Sequence, residues 1–595
     1  MRLPRASAAL AAAALAAGCA GVKKPAAGSD SERLAALLNE YWEDTLVLNP
    51  ILATAIGDDR YDAELPNFYA PEYRARMKAH LERYLRALGA LDRARLAGQD
   101  RLSHDVLRHD LESALEGLRF PDWLVPVHQF GSGPTFFAVL ASGKGIQPFR
   151  TVKDYEAFLG RMDRLPPVFD QAIANMREGI RAGVVQPRPV MEKVLPQLDA
   201  LAVDDPEKSA FWGAVASMPE AIPAAERERL AAAYRARISR VVLPAYRRLR
   251  DFVRDEYLPR CRDTAGYAAL PDGKAWYAYL VKAATTTDLS PDRIHEIGLA
   301  EVARIRAEME RVKREVGFEG DLAAFFRWLR DDPRFYYTDP EALLAGYRAL
   351  QEKVNAALPR GFDVFPKADY EIRPVEAFRA KSMSGAEYVQ GTPDGRRPGV
   401  FYVNTHDLRA QPKFGMETLS LHEASPGHHF QISIAQEITD LPRFRRFGGY
   451  VAYQEGWALY AESIGKELGL FTDPLQWYGR LSDELLRAMR LVVDTGIHAK
   501  GWTREQAIRY MLDTSSMAES DVVSEVERYI AVPGQALGYK VGQLAITELR
   551  REAERELGAR FDVKAFHRQV LVDGALPLEV LRTKIREWIA AQTVR

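Results

Sequence analysis

Leu421-His422-Glu423-Ala424-Ser425-Pro426-Gly427-His428-His429-Phe430-Gln431 holds three of the chain's 11 histidines, and a glutamate stands directly beside the first. Imidazole nitrogens with a carboxylate form the ligand set that a borderline cation such as Zn²⁺ prefers. A regular metallopeptidase helix carries His-Glu-x-x-His, which sets two histidines one turn apart on one face. Here the position four after His422 is Pro426. Proline removes a backbone donor and disfavours helical geometry at Ser425, and Gly427 adds freedom. The spacing therefore predicts a helix that kinks or bulges between its two ligands. On a straight helix His428 would point well round from His422, while His429 would share its face about 10 Å further along the axis. Spacing alone leaves the second histidine open between these two.

A third ligand should be acidic and come from a second helix. Downstream lies Gln454-Glu455-Gly456-Trp457-Ala458-Leu459-Tyr460-Ala461-Glu462. Glu455 and Glu462, seven apart, share one helix face. A solvated surface is the ordinary fate of glutamate. The apolar residues between these two would make an unpaired carboxylate costly, which favours Glu455 as a ligand. Glu462 is expected to orient a histidine from behind. The expected metal set is His422, Glu455 and one of His428 and His429 around one Zn²⁺ per chain, with Glu423 as general base.

The rest of the chain bounds the setting. Met1 to Ala20 carries Arg2 and Arg5, an alanine-rich apolar run and Ala16-Ala17-Gly18-Cys19, which reads as a secretory signal. It resembles a lipoprotein signal with Cys19 as the acylated residue, although the leucine usual three places before the cysteine lies one place further back, at Leu15. An ordinary cleaved signal is the alternative. Residues 20–31 read as a flexible tether. The body, 32–595, is expected to divide into an N-terminal helical part, about 32–290, and a metal-site part, about 291–595. Only one other cysteine exists, Cys261, so the fold must rest on its core. A net charge of −1 speaks against a nucleic-acid or polybasic membrane surface. Helical periodicity dominates, as in Asp292–Val316, with similar patterns in Tyr73–Arg95, Thr151–Ala182, Glu226–Glu256 and Thr503–Met511. Pro121–Pro134 and Ser384–Pro398 read as turn-rich. One strand is predicted, Gly399–Thr405, either lending an edge to an extended substrate or buried in a small sheet.

The two motifs together resemble a large bacterial lipoprotein family of unknown function with the hallmark His-Glu-x-x-Pro-Gly-His followed by Glu-Gly-Trp-Ala. That family is regarded as a relative of the gluzincin metallopeptidases, the group of angiotensin-converting enzyme and thimet oligopeptidase. Val493-Asp494-Thr495-Gly496-Ile497-His498, Glu527-Arg528-Tyr529 and Pro533-Gly534-Gln535-Ala536-Leu537-Gly538-Tyr539-Lys540 extend the likeness, as do Asp154-Tyr155-Glu156 and Met176-Arg177-Glu178-Gly179. The resemblance covers nearly all of the mature chain. It favours His428 over His429 and implies a mainly α, gluzincin-like fold with a deep cleft and a small sheet near the active site. It also draws attention to Tyr539 and Arg528 as oxyanion stabilisers, against a buried tyrosine and a surface arginine. His498 is either a transition-state donor or a satisfied core histidine, with the first favoured. His406 directly follows the predicted strand and is expected in a loop near the cleft mouth, while His80, His104, His109, His128, His295 and His567 read as structural.

The function expected from these residues is a zinc-dependent periplasmic peptidase held to the envelope, outer membrane included, by a lipid on Cys19. A tethered binding or scaffold lipoprotein with a vestigial site is the alternative. An amide or ester hydrolase with the same machinery is a third reading.

Overall fold

A computed structural model describes residues 29–375, 380, 385–391 and 398–593. The signal peptide and Cys19 lie outside the described residues. The tether gives way to helix slightly earlier than expected. Ser29 caps helix α1 (Asp30–Leu48): its hydroxyl accepts from the Glu32 N–H, and the Glu32 carboxylate accepts from the Ser29 N–H. Two otherwise orphaned donors are thereby satisfied, which fixes the start of the body at this point.

The fold is mainly α. The helices that frame the site are α2 (Pro71–Gly89), α3 (Gly98–Gly117), α4 (Val152–Ala182), α5 (Pro291–Glu315), α6 (Pro340–Ala357), α7 (Met416–Glu423), α8 (His428–Glu437), α9 (Val451–Ser463), α10 (Pro474–Lys500), α11 (Glu519–Ala531), α12 (Leu537–Leu557) and α13 (Leu578–Thr593). In α5 the periodic stripe Ile294, Val302, Ile305, Met309 and Val312 is buried, and Ser290 caps the helix. The Glu226–Glu256 pattern is interrupted. Ala224–Arg237 is α-helical, but wider π turns follow at Ile238–Val242 and Val253–Tyr257, flanking a helix with Pro244 in its first turn. Proline cannot donate its place in the ladder, and the neighbouring turn widens.

Two large cores hold the body. One joins α1, α2 and α3 to α9, α12 and α13, through Leu34, Leu81, Leu107, Trp457, Leu549 and Leu581. The other joins α4, α5, α10 and α11, through Phe158, Ile305, Val492 and Val526. Each draws on residues from both sides of position 290, so that position is not a boundary between cores.

A three-stranded sheet lies beside α7: β1 (Tyr370–Pro374), β2 (Ala386–Val389) and β3 (Gly399–Val403), in the order β1-β3-β2. β3 runs parallel to β1 and antiparallel to β2, with Ile372 and Tyr388 both opposite Phe401. The predicted strand is thus central, and it has no free edge to lend. β2 falls in a stretch read from sequence as turns. Leu343 and Tyr347 of α6, Phe401 and Val403 of β3, and Met416 and Ala424 form a small core that presses the sheet onto α7. Cys261 is buried and free, and burial pushes its thiol up to about 12. Among the described residues no helix is long and apolar enough to cross a membrane.

Candidate metal centre

α7 is anchored before it delivers its histidine. The buried carboxylate of Glu417 accepts from Lys353 Nζ of α6 at 2.6 Å and from the Phe471 N–H at 2.6 Å. The helix then stops at Glu423, and α8 starts afresh at His428. The interruption is larger than the predicted kink: two helices replace one distorted one. Gly427 makes the turn possible, because a Cβ there would come within 1.9 Å of the His422 carbonyl oxygen and 2.3 Å of that of Leu421. No other residue fits so close an approach. The second motif clamps this turn, since the buried Trp457 indole donates to the Pro426 carbonyl at 2.7 Å. α9 in turn packs backbone to backbone on α12. A Cβ on Gly456 would fall 2.5 Å from Gly542, and one on Gly542 would fall 1.8 Å from the Ala452 carbonyl oxygen. The glycine after Glu455 therefore sets the depth at which that carboxylate sits.

The three elements bring together His422, His428 and Glu455. Their donor atoms all lie within 4.8 Å of one another. Glu455 Oε2 is 3.5 Å from His422 Nε2 and 3.4 Å from His428 Nε2, and the two imidazole planes stand at 88°. A tetrahedral cation with bonds of about 2.1 Å separates its ligands by about 3.4 Å, so these edges have the right length for zinc. Glu455 Oε2 is buried and makes no hydrogen bond. A carboxylate oxygen in that state, facing two imidazole nitrogens, fits a cation better than any protein partner.

Electrostatics point the same way. Burial opposes charge on His422, but Glu455 and Glu462 overcome it and raise the imidazole to about 10. Burial likewise works against the Glu455 anion, yet His428 and His422 hold it well below the usual carboxylate range. The cluster is arranged to hold positive charge. Glu462, almost fully buried, accepts from His422 Nδ1 at 2.7 Å and from the Thr418 hydroxyl at 3.0 Å. With its proton on Nδ1, His422 has the Nε2 lone pair for a cation. Glu423, the last residue of α7, is half-buried and has no hydrogen-bond partner among the described residues.

Other expected residues take different places. His429 is directed into the sheet: its Nδ1 meets the Tyr388 hydroxyl at 2.9 Å, and burial lowers it to about 4. The register thus brings His428, not its neighbour, to the cluster. His498 must be corrected. It is fully buried, its Nδ1 accepts from the Tyr267 N–H at 3.2 Å and its Nε2 donates to the Tyr529 carbonyl at 2.9 Å. Neither ring nitrogen is left for a substrate, so it is a satisfied core histidine. Tyr539 and Arg528 lie together, with Arg528 Nη2 3.4 Å from the Tyr539 hydroxyl. Sequence reasoning missed Asp483, Arg487 and Arg490, which α10 sets beside them. Their i, i+4, i+7 spacing was the available signal.

The family model described as "Bacterial protein of unknown function (DUF885)" matches residues 50–585. A crystal structure of a "putative lipoprotein" from Colwellia psychrerythraea is 30% identical, with a TM-score of 0.87, and the match covers 95% of this chain and 100% of that one. A structure of a "putative lipoprotein of unknown function" from Shewanella oneidensis is 19% identical with a TM-score of 0.73, covering 92% and 99%, a likeness of fold. No curated protein matches the sequence.

Proposed function

The chain belongs to the DUF885 family of bacterial proteins of unknown function, and we propose that it is a metal-dependent peptidase of the cell envelope, with zinc as its cation. The observation that carries this reading is the convergence of three donor atoms, from His422, His428 and Glu455, next to a glutamate whose carboxylate has no partner. A structural zinc site is usually closed by four protein ligands and favours cysteine, whereas a catalytic site keeps a position open. Three ligands without cysteine match the second kind. A scaffold with a vestigial site would have no use for Glu423. On this reading the expanded spacing is a variant of the gluzincin arrangement.

Zinc held there would polarise the scissile carbonyl and bring the pKa of a water to about 7. The chain's own residues supply the remainder. Glu455, His422 and His428 hold the cation, and Glu462 keeps His422 in the tautomer that can do so. Glu423 takes the proton of the attacking water and passes it to the leaving amine. Tyr539, with His498 committed to the core, is the remaining candidate to donate to the developing oxyanion. Tethering through Cys19 fits the names given to the two related structures, and membrane fractionation of a Cys19→Ser chain checks it.

Glu423→Gln is the decisive variant. It should keep its metal, measured by atomic emission, and its melting temperature, while hydrolysis of a peptide library read by mass spectrometry falls by about 10²–10⁴-fold. Turnover at the wild-type rate would end this mechanism.

A further inference from the structure

Tyr539 stands in a knot of arginines that the metal cluster does not explain. α10 sets Arg487 and Arg490 one turn apart on the face that carries Asp483, and α11 adds Arg528. The Arg490 guanidinium lies 4.5 Å from the centre of the Tyr539 ring. Arg528 reaches the Tyr539 hydroxyl at 3.4 Å and Gln535 Oε1 at 2.8 Å. Two carboxylates answer the three cations. Asp483 is 3.4 Å from Arg487 Nη1. Glu525 accepts from Arg490 Nη2 at 2.9 Å and from Nε at 3.1 Å, accepts a hydrogen bond from the Tyr529 hydroxyl, and lies 3.5 Å from Arg528. The charge of the Glu462 carboxylate also acts on Arg487.

The three guanidinium groups are poorly solvated. The side chains of Arg490, Arg487 and Arg528 are 6%, 13% and 17% exposed. Three of their N–H groups, Nη1 of Arg490 and Nε of Arg487 and of Arg528, are buried with no acceptor. Buried guanidinium N–H groups without an acceptor carry a desolvation cost. It is removed if an anion completes the set, and a guanidinium fork matches a carboxylate in shape as well as charge. The knot also adjoins the metal centre. Asp483 senses the charges of His422 and Glu462, and Arg487 senses those of Glu462 and Tyr539. The ring of Phe130, half exposed, lies 5.1 Å from the Arg528 guanidinium and marks the solvent side.

We infer that Arg487, Arg490 and Arg528 form a subsite for a carboxylate of the peptide, seated beside Tyr539. The inference rests on the peptidase reading and gives it a substrate class: peptides with an anchoring carboxylate at the C-terminus or on an acidic side chain. Arg528 then holds substrate, where the resemblance had suggested an oxyanion stabiliser.

The test is binding, read by fluorescence polarisation on full-length Glu423→Gln protein, with and without zinc. The probes are N-terminally labelled peptides in three matched forms: free acid, C-terminal amide, and free acid with each Glu and Asp replaced by Gln and Asn. A loss of roughly 10-fold in affinity is expected for the form that lacks the recognised carboxylate, as for a charge-assisted hydrogen bond to a desolvated guanidinium. Loss on amidation places the carboxylate at the C-terminus, and loss with Gln and Asn places it on a side chain. The preference should survive chelation of the metal, because the subsite does not use it. Adding Arg528→Gln should bring the three forms within about twofold of one another, as removal of a charge-assisted partner predicts. Equal affinity for all three forms, a preference that vanishes with the metal, or one that persists in folded Arg528→Gln protein would each overturn the subsite. Those outcomes leave the hydrolase reading standing, since it is judged by wild-type turnover. Absence of any peptide binding would remove both. The peptide series alters only the ligand, so it decides the matter even if an arginine variant fails to fold.

Discussion

Two histidine–carboxylate clusters lie on neighbouring helices, and they differ in what their polar atoms already bind. In the first, His422 and His428 face Glu455, and the donor atoms converge with the Glu455 oxygen lacking a hydrogen bond. In the second, on α10, Asp494 accepts from the Tyr277 hydroxyl at 2.6 Å and from the Gly534 N–H at 3.1 and 3.0 Å, while His498 uses both ring nitrogens on backbone groups. Residue types are alike, although His428 and Glu455 keep some solvent exposure while Asp494 and His498 have none. What separates a site from a piece of core is whether the polar atoms already have partners. The Asp494–His498 cluster ties α10 to the loops at Tyr267 and Gly534, and its place in a motif reflects that structural duty.

The contrast predicts opposite mutant phenotypes. The largest effect belongs to Glu455→Gln, which removes the anion shared by both imidazoles. Metal content should fall from one ion per chain to near none, with the melting temperature of the metal-free protein little changed, because the two large cores do not include Glu455. Glu462→Gln should weaken metal affinity by about 10–100-fold, the range typical of a carboxylate that orients a ligand histidine. His429→Ala should leave metal content as it is. If His429→Ala empties the site and Glu455→Gln does not, the cluster is not the metal centre.

In the second cluster the expected change is in stability. His498→Phe keeps an aromatic ring, somewhat larger, but strands the Tyr267 N–H and the Tyr529 carbonyl. The cost should be about 2 kcal/mol by denaturant unfolding, with bound metal unaltered. Loss of turnover in a His498→Phe protein of normal metal content and normal stability would restore it as a transition-state donor.

Much of this was legible in the sequence, and the reasons differ by residue. The meeting of His422 with Glu455 and Glu462 was readable because residue type and helix spacing mark these carboxylates, set among apolar neighbours in one short motif. The choice of His428 over His429 needed the resemblance, because what claims His429 is Tyr388, on a strand hidden in a turn-rich stretch. His498 was misread because a sequence does not show where the partners of a ring nitrogen come from; here they arrive from Tyr267 and Tyr529, both distant in the chain. The arginine knot escaped notice for the same reason. Its unmade hydrogen bonds exist only once α10, α11 and α12 are packed. The central place of β3 likewise depended on two strands that only the fold brings to its sides.

Asp494 offers the smallest and most direct measure of the second cluster. Burial raises its carboxyl to about 7, although the Tyr277 hydroxyl and the Gly534 N–H favour the anion. An unfolded aspartate titrates near 3.9. The folded state therefore binds more protons than the unfolded state between these values, and the stability of the protein must fall as pH rises through that window. The contribution is fully present below about pH 4 and gone above about pH 7, the reverse of an ion-paired carboxylate. Its slope is at most about 1.4 kcal/mol per pH unit. Asp494→Asn keeps an acceptor for Tyr277 and cannot titrate, so its unfolding free energy should lose this slope relative to the wild type. The comparison is made as a difference because Glu525, drawn down to about 2 chiefly against burial by Arg490, and other ion-paired carboxylates tilt the total profile the other way. A wild-type minus Asp494→Asn difference that is flat from pH 4 to 7 would mean that Asp494 is charged in the fold, as Glu455 is in the first cluster.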